Sequence, residues 1–196
     1  MVIFALTRAR DWPWSAAGAI GLLGAAIPIG RSLARTANPS TMLGIQGGRP
    51  LPWLVAIAAI AIGAAAGAYH RQGLGLPLWP AGGLEWFVIV ACLIGAMEEL
   101  LYRGWLLGRA SAFGPVAAIV IAAAAHAAYK AALFTGPLAP ASIDLPSMAL
   151  WTFAGGIVLG ALRVYSRNVL VPVLAHAAFD FMVYGAVAHA PWWVWS

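Results

Sequence analysis

The chain has 196 residues, of which 63% are hydrophobic and 9% charged, with a mean hydropathy of +0.87; water-soluble domains carry about 25% charged residues, so this is a membrane protein. Its formal charge of +5 comes from arginines in short connecting segments, which reads as an orientation signal and lipid-headgroup contact rather than a nucleic-acid surface. Cys92 is the single cysteine; no disulfide can form within the chain, and a small packing residue is the simplest role for it.

In chain order, Met1–Pro13 is a short interfacial lead-in, with Trp12 and Trp14 at headgroup level. Trp14–Ile29 is the first expected span. A cleaved signal peptide competes for this segment, but no small-x-small site follows the apolar core. Arg31–Pro50 reads as a loop. Leu51–Tyr69 is the second span, whose Gly63 and Gly67 form a G-x-x-x-G that permits close helix approach. His70–Gly83 reads as a turn region with His70 and Arg71 solvated. Leu84–Leu107 and Pro115–Phe134 are the third and fourth spans, Thr135–Pro146 a loop, and Ser147–Leu162 the fifth span. Arg163–Asn168 is a basic turn, and Val169–Ala190 is the sixth span, before a tryptophan-rich interfacial end. The expected fold is all-α: a polytopic bundle of about six transmembrane helices forming one domain over residues 1–196. Alanine and glycine richness and arginine in preference to lysine suggest a prokaryotic coding sequence, and so a multi-pass protein of the cytoplasmic (inner) membrane.

Ionisable residues at bilayer depth are costly and usually face a protein interior or a wet cavity where they work. The third span holds Met97-Glu98-Glu99-Leu100-Leu101-Tyr102-Arg103. On a helix, Glu99 and Arg103 are four apart and can pair, while Glu98 lies on a stripe rotated by about 100° and is expected to be unpaired and presented to a cavity. His126 sits among alanines in the fourth span, with Lys130 one turn further on, and His176 and Asp180 share a face of the sixth. At about 1.5 Å per residue, Glu98 lies ~14 Å from one end of its helix, His176 ~10 Å, Asp180 ~17 Å and His126 ~17 Å. Because successive helices alternate in direction, these groups fall at one level. Of only six acidic residues, three belong to this layer. The layer reads as a site.

With Glu98-Glu99-x-x-Tyr102-Arg103, then His126, then His176-x-x-x-Asp180, the chain resembles the CPBP intramembrane protease family, which includes the Ras-converting CAAX prenyl endopeptidase and bacteriocin-processing (Abi) proteins. The resemblance covers about residues 84–190. It departs from the family in having Ala122 where a Phe commonly precedes the middle histidine, Asp180 where Asn is frequent, and fewer spans than the eight of fuller members.

The resemblance implies an endopeptidase working within the membrane on a membrane-tethered protein or peptide. Glu98 would activate water, assisted by Glu99 held near Arg103. His126 would orient the water or move a proton, and His176 with Asp180 would stabilise the oxyanion. Elementary chemistry agrees: hydrolysis needs a base and donors aimed at the tetrahedral oxyanion. No cofactor is required on this reading. The alternative is Zn2+ held by the two histidines and a carboxylate. A proton-coupled transporter with a Glu/His/Asp relay and a non-catalytic membrane scaffold are more distant alternatives. The division of arginines between alternate loops places Arg31, Arg35, Arg49, Arg109, Arg163 and Arg167 on the cytoplasmic side and both termini outside.

Overall fold

A backbone at bilayer depth must satisfy its N–H and C=O groups within its own segment, and a helix does so. The computed structural model describes residues 27, 29–45, 53–81, 84–133 and 144–186, and among these there is no strand. Helices α1 (Pro39–Leu43), α2 (Trp53–Gly73) and α3 (Phe87–Glu99) are followed by a π-helical segment (Leu100–Leu106) that runs on into α4 (Leu107–Ala110). After a 3-10 turn (Ser111–Phe113) come α5 (Pro115–Leu133), α6 (Leu145–Ser166) and α7 (Leu170–Tyr184). By length and composition, Trp53–Gly73, Pro115–Ala132 and Leu145–Ser166 can each cross a membrane; Leu170–Tyr184 is apolar but shorter. The expected first span, Trp14–Ile29, falls almost wholly outside the described residues, as does the tryptophan-rich end.

Lipid tails are as apolar as leucine, so helices in a bilayer associate through close packing, and small residues allow it. Gly63 and Gly67 do this for α2: a Cβ at Gly63 would strike the Ala175 carbonyl of α7, and one at Gly67 would meet Met182 and the Phe179 carbonyl. Ala59, Val171 and Ala175 form a buried cluster along the same seam. On the other side, α5 packs on α6 with Gly160 against Ile119 and Gly156 against Ala123. Helix α7 also packs on α3, and α5 on the π segment and α4. The continuous α3–π helix is thus held between α7 and α5.

Several expected boundaries move. Arg31–Pro50 is not simply a loop, because residues 29–34 are helical and α1 follows. Its start and stop were written in Asn38-Pro39 and in Gly44, which takes the left-handed conformation at φ +73°. Helix α2 continues through His70 and Arg71. His70 is exposed on its last turn, with its ring 5.9 Å from that of Phe179. Arg71, expected in solvent, is buried and donates to the carbonyls of Pro77 (2.6 Å), Met182 (3.1 Å) and Trp79 (3.4 Å). Helix α6 is longer than expected at both ends: Asp144 caps it by accepting from the Ser147 N–H (3.1 Å), and Arg163 lies within it, buried, donating to the Met42 carbonyl (3.3 Å). Both guanidiniums are used to satisfy carbonyls at chain turns, where no helical N–H is available. Helix α7 ends at Tyr184, short of Ala190; Gly185 turns the chain, and its carbonyl accepts from the Glu85 N–H (2.9 Å).

Candidate active site

The π segment begins inside the carboxylate–arginine motif, directly after Glu99, and runs past Arg103 to Leu106. It ends with the Leu107 N–H reaching back to the Tyr102 carbonyl, a five-residue step. Such turns occur frequently at functional sites, and the widened turn brings Glu98, Glu99, Tyr102, Arg103 and Gly104 all into the protein interior. Arg103 and Glu99 are fully buried. Space for the guanidinium depends on α6: a Cβ at Gly156 would come within 3.1 Å of Arg103 Nη2.

Glu99 is the hub of one half of the site. Its Oε1 accepts from Arg103 Nη1 and from His176 Nδ1, each at 2.8 Å. Arg103 Nη1 also donates to His126 Nδ1 at 3.1 Å. A guanidinium has no acceptor, so Nδ1 of His126 must accept, and the ring proton of the neutral imidazole belongs on Nε2. That nitrogen lies 3.2 Å from Glu98 Oε2, at an angle short of a formed hydrogen bond. The contact is therefore electrostatic in this arrangement. The Tyr102 ring is stacked on His126, centroids 4.5 Å apart and planes at 20°.

Glu98 is the centre of the other half. Its Oε1 pairs with Lys130 Nζ at 2.8 Å, so the expectation that it is unpaired is overturned. Its Oε2 faces His126 Nε2 at 3.2 Å and His176 Nε2 at 4.0 Å. His176 Nε2 is in turn 3.8 Å from Asp180 Oδ1. Among the described residues, the other oxygen of Asp180 is buried without a hydrogen-bond partner, as are Glu99 Oε2, the Tyr102 hydroxyl and Arg103 Nη2.

The structure therefore brings Glu98, Glu99, His126, His176 and Asp180 into one cluster, drawn from α3, α5 and α7. Lys130 was visible in the sequence as the residue one turn beyond His126, but its pairing with Glu98 was not anticipated. Gly95 was missed too: a Cβ there would strike Asp180 Oδ2 and come within 3.1 Å of the His176 ring. Ala122 does not line this cluster. It is buried with Leu107, Ala110 and Ala118 in a separate apolar contact between α5 and α4. Cys92 is a packing residue, its Sγ 3.5 Å from the Ala177 carbonyl. Among the described residues, no three His, Cys, Asp or Glu side chains are arranged as a metal-ligand set.

The family described as Rce1-like, type II CAAX prenyl endopeptidase, matches residues 79–182, more than half of the chain. The protein belongs to the Rce1-like family. The matched segment runs from just before α3 to near the end of α7 and contains every member of the cluster. No curated protein and no solved structure matches the chain. Family membership and the apolar helices together make it a membrane-embedded protease of the CAAX type, a family that acts on membrane-associated protein substrates.

Proposed function

We propose that this Rce1-like protein hydrolyses a peptide bond near the end of a prenylated, membrane-tethered protein or peptide, in the cytoplasmic membrane, with Glu98 as the base that takes a proton from water. The observation that carries this reading is the position of Glu98 Oε2 between two imidazole nitrogens, 3.2 Å from His126 Nε2 and 4.0 Å from His176 Nε2. A separation near 4 Å suits a water hydrogen-bonded to both sides. Glu98 Oε2 removes the water proton as the oxygen attacks the scissile carbonyl. The carbonyl oxygen becomes an oxyanion, which needs preorganised donors. His176 supplies one as its imidazolium: Nδ1 donates to Glu99 Oε1, so Nε2 has a proton to give only when the ring is doubly protonated, the charged form that Glu99 and Asp180 flank. Collapse of the tetrahedral intermediate expels the amine, which takes the proton held on Glu98. His126, fixed by Arg103 and Tyr102, orients the water and completes the proton path.

The reading needs no metal ion. In its favour, the two fixed cations Arg103 and Lys130 sit directly against Glu99 and Glu98, where they compete with a bound cation for the same carboxylates. The test uses protein purified in detergent micelles and a fluorogenic farnesylated peptide ending in a C-a-a-X sequence. Turnover is expected to survive strong chelator and to fall by about 10²–10⁴-fold in Glu98→Gln, the usual share of a general base, with helicity and melting temperature checked in parallel. Near-normal turnover in Glu98→Gln would remove the assignment of the base. Stoichiometric zinc that disappears together with activity in His126→Ala and His176→Ala would replace the mechanism by a metal-dependent one.

A further inference from the structure

Lys130 is the partner of Glu98 that no part of the proposed mechanism uses. It lies on α5 one turn beyond His126, so both side chains leave the same face of that helix and meet the same carboxylate of α3. They divide it between them: Lys130 Nζ is 2.8 Å from Oε1, and His126 Nε2 is 3.2 Å from Oε2. Oε2 also faces His176, at 4.0 Å. A carboxylate with both oxygens equally available can rotate about its last bond and present either. With an ammonium on Oε1 it is held in one orientation, because a charge-assisted hydrogen bond is roughly twice as strong as a neutral one.

We propose that Lys130 is a positioning residue of the hydrolytic site, whose ammonium fixes Oε1 of Glu98 and thereby makes Oε2 the oxygen that activates water. This rests on the reading of Glu98 as the base. The geometry separates it from a mere tie between helices. The Lys130 side chain is 21% exposed while that of Glu98 is 6% exposed, so the lysine reaches its partner from the open side of the cluster. A tie between α3 and α5 does not need it, since His126 already bridges from α5 to both Glu98 and Arg103. Misplacing a reacting group by about 1 Å costs on the order of a hundredfold in rate, and that is the scale of effect expected from losing the ammonium.

The same exposure allows a test on one folded sample. Lys130→Cys is prepared in a Cys92→Ser background, which leaves the introduced thiol as the single one in the chain. The purified protein is assayed on the farnesylated C-a-a-X reporter before and after alkylation with 2-bromoethylamine, which rebuilds a lysine-like ammonium. A parallel sample is alkylated with a neutral propyl halide of similar size. The expected result is a kcat about a hundredfold below that of Cys92→Ser, with little change in KM, recovered by the aminoethyl group and not by the propyl group. Equal recovery by the neutral group, or near-normal kcat in both Lys130→Cys and Lys130→Met, overturns the proposal while leaving Glu98 as the base. A parent protein that leaves the reporter intact, or an active Glu98→Gln, removes the underlying reading, and the role of Lys130 goes with it.

Discussion

The Tyr102 ring lies flat on the His126 imidazole, with centroids 4.5 Å apart and planes at 20°. One face of the histidine is thereby covered, while Nδ1 is fixed by Arg103 at 3.1 Å. Together these leave the ring little freedom to turn Nε2 away from Glu98. The Tyr102 hydroxyl is buried without a hydrogen-bond partner among the described residues, so the ring, rather than the hydroxyl, is what the arrangement uses. Tyr102→Phe is therefore expected to keep turnover within a few-fold of the parent. Tyr102→Ala removes the stacking surface and leaves a hole, at a cost of about 3–5 kcal/mol in stability, and should lower turnover beyond what its melting temperature explains. Reporter assays and thermal melts of the two variants side by side check this; a Phe variant as damaged as the Ala variant would assign the role to the hydroxyl.

Gly95 offers a sharper probe, because it touches the site from behind. A Cβ at this position would strike Asp180 Oδ2 and press on the His176 ring, whose nearest carbons would lie 3.1–3.2 Å away. Asp180 Oδ2 is the end of a short side chain and can yield, so Gly95→Ala should fold. The movement it forces falls on the two groups assigned to the oxyanion. Turnover of Gly95→Ala is expected to drop about tenfold or more, whereas overpacking costs about 1–3 kcal/mol in stability. Gly155→Ala is the control: among the described residues nothing lies within 4 Å of a Cβ there, and the gain in helix propensity, up to about 1 kcal/mol, should leave the protein as active and slightly more stable. If the two variants behave alike in the reporter assay, Gly95 has no positioning role.

The layer of Glu98, Glu99, His126, His176 and Asp180 was legible in the sequence because helix rise is regular, and depth can be counted in residues. The Glu99–Arg103 pair followed from four-residue spacing in the same way, as did the seam at Gly63 and Gly67. Pairing across helices was not legible. Which side of α5 faces α3 depends on helix rotation, and this decides that Lys130 reaches Glu98 and that His126 Nδ1 meets Arg103. The π segment carries no side-chain signature in Leu100–Leu106, so the extra residue in its turn could not be read from the pattern. Arg71 and Arg163 looked like loop charges because arginines beside Gly- and Pro-rich turns usually are. Their long side chains instead fold back onto carbonyls at the chain turns.

That correction bears on orientation. One end of the bundle is assembled around α1: the Gly44 carbonyl accepts from the Val169 N–H at 3.0 Å, Arg163 reaches Met42, and Gly108 lies against Met42. The opposite end joins Arg71 to Pro77 and Met182, and Gly185 to Glu85. With Arg71 and Arg163 buried, they no longer count as free loop charges. The α1 end still presents Arg31, Arg35, Arg109 and Arg167, all exposed, whereas the one arginine described at the opposite end is committed to carbonyls. The described residues still show more exposed positive charge at the α1 end, and from the rule that such charge stays in the cytoplasm the prediction is that this end faces inside. Cysteines at Ser40 and Ser111, exposed at the α1 end, and at Gln72, exposed at the other, provide the measurement in a Cys92→Ser background. In intact spheroplasts, a membrane-impermeant maleimide should label Gln72→Cys directly, and Ser40→Cys and Ser111→Cys only after permeabilisation. The reverse pattern would invert the bundle, and with it the side from which a substrate chain enters the Glu98 cluster.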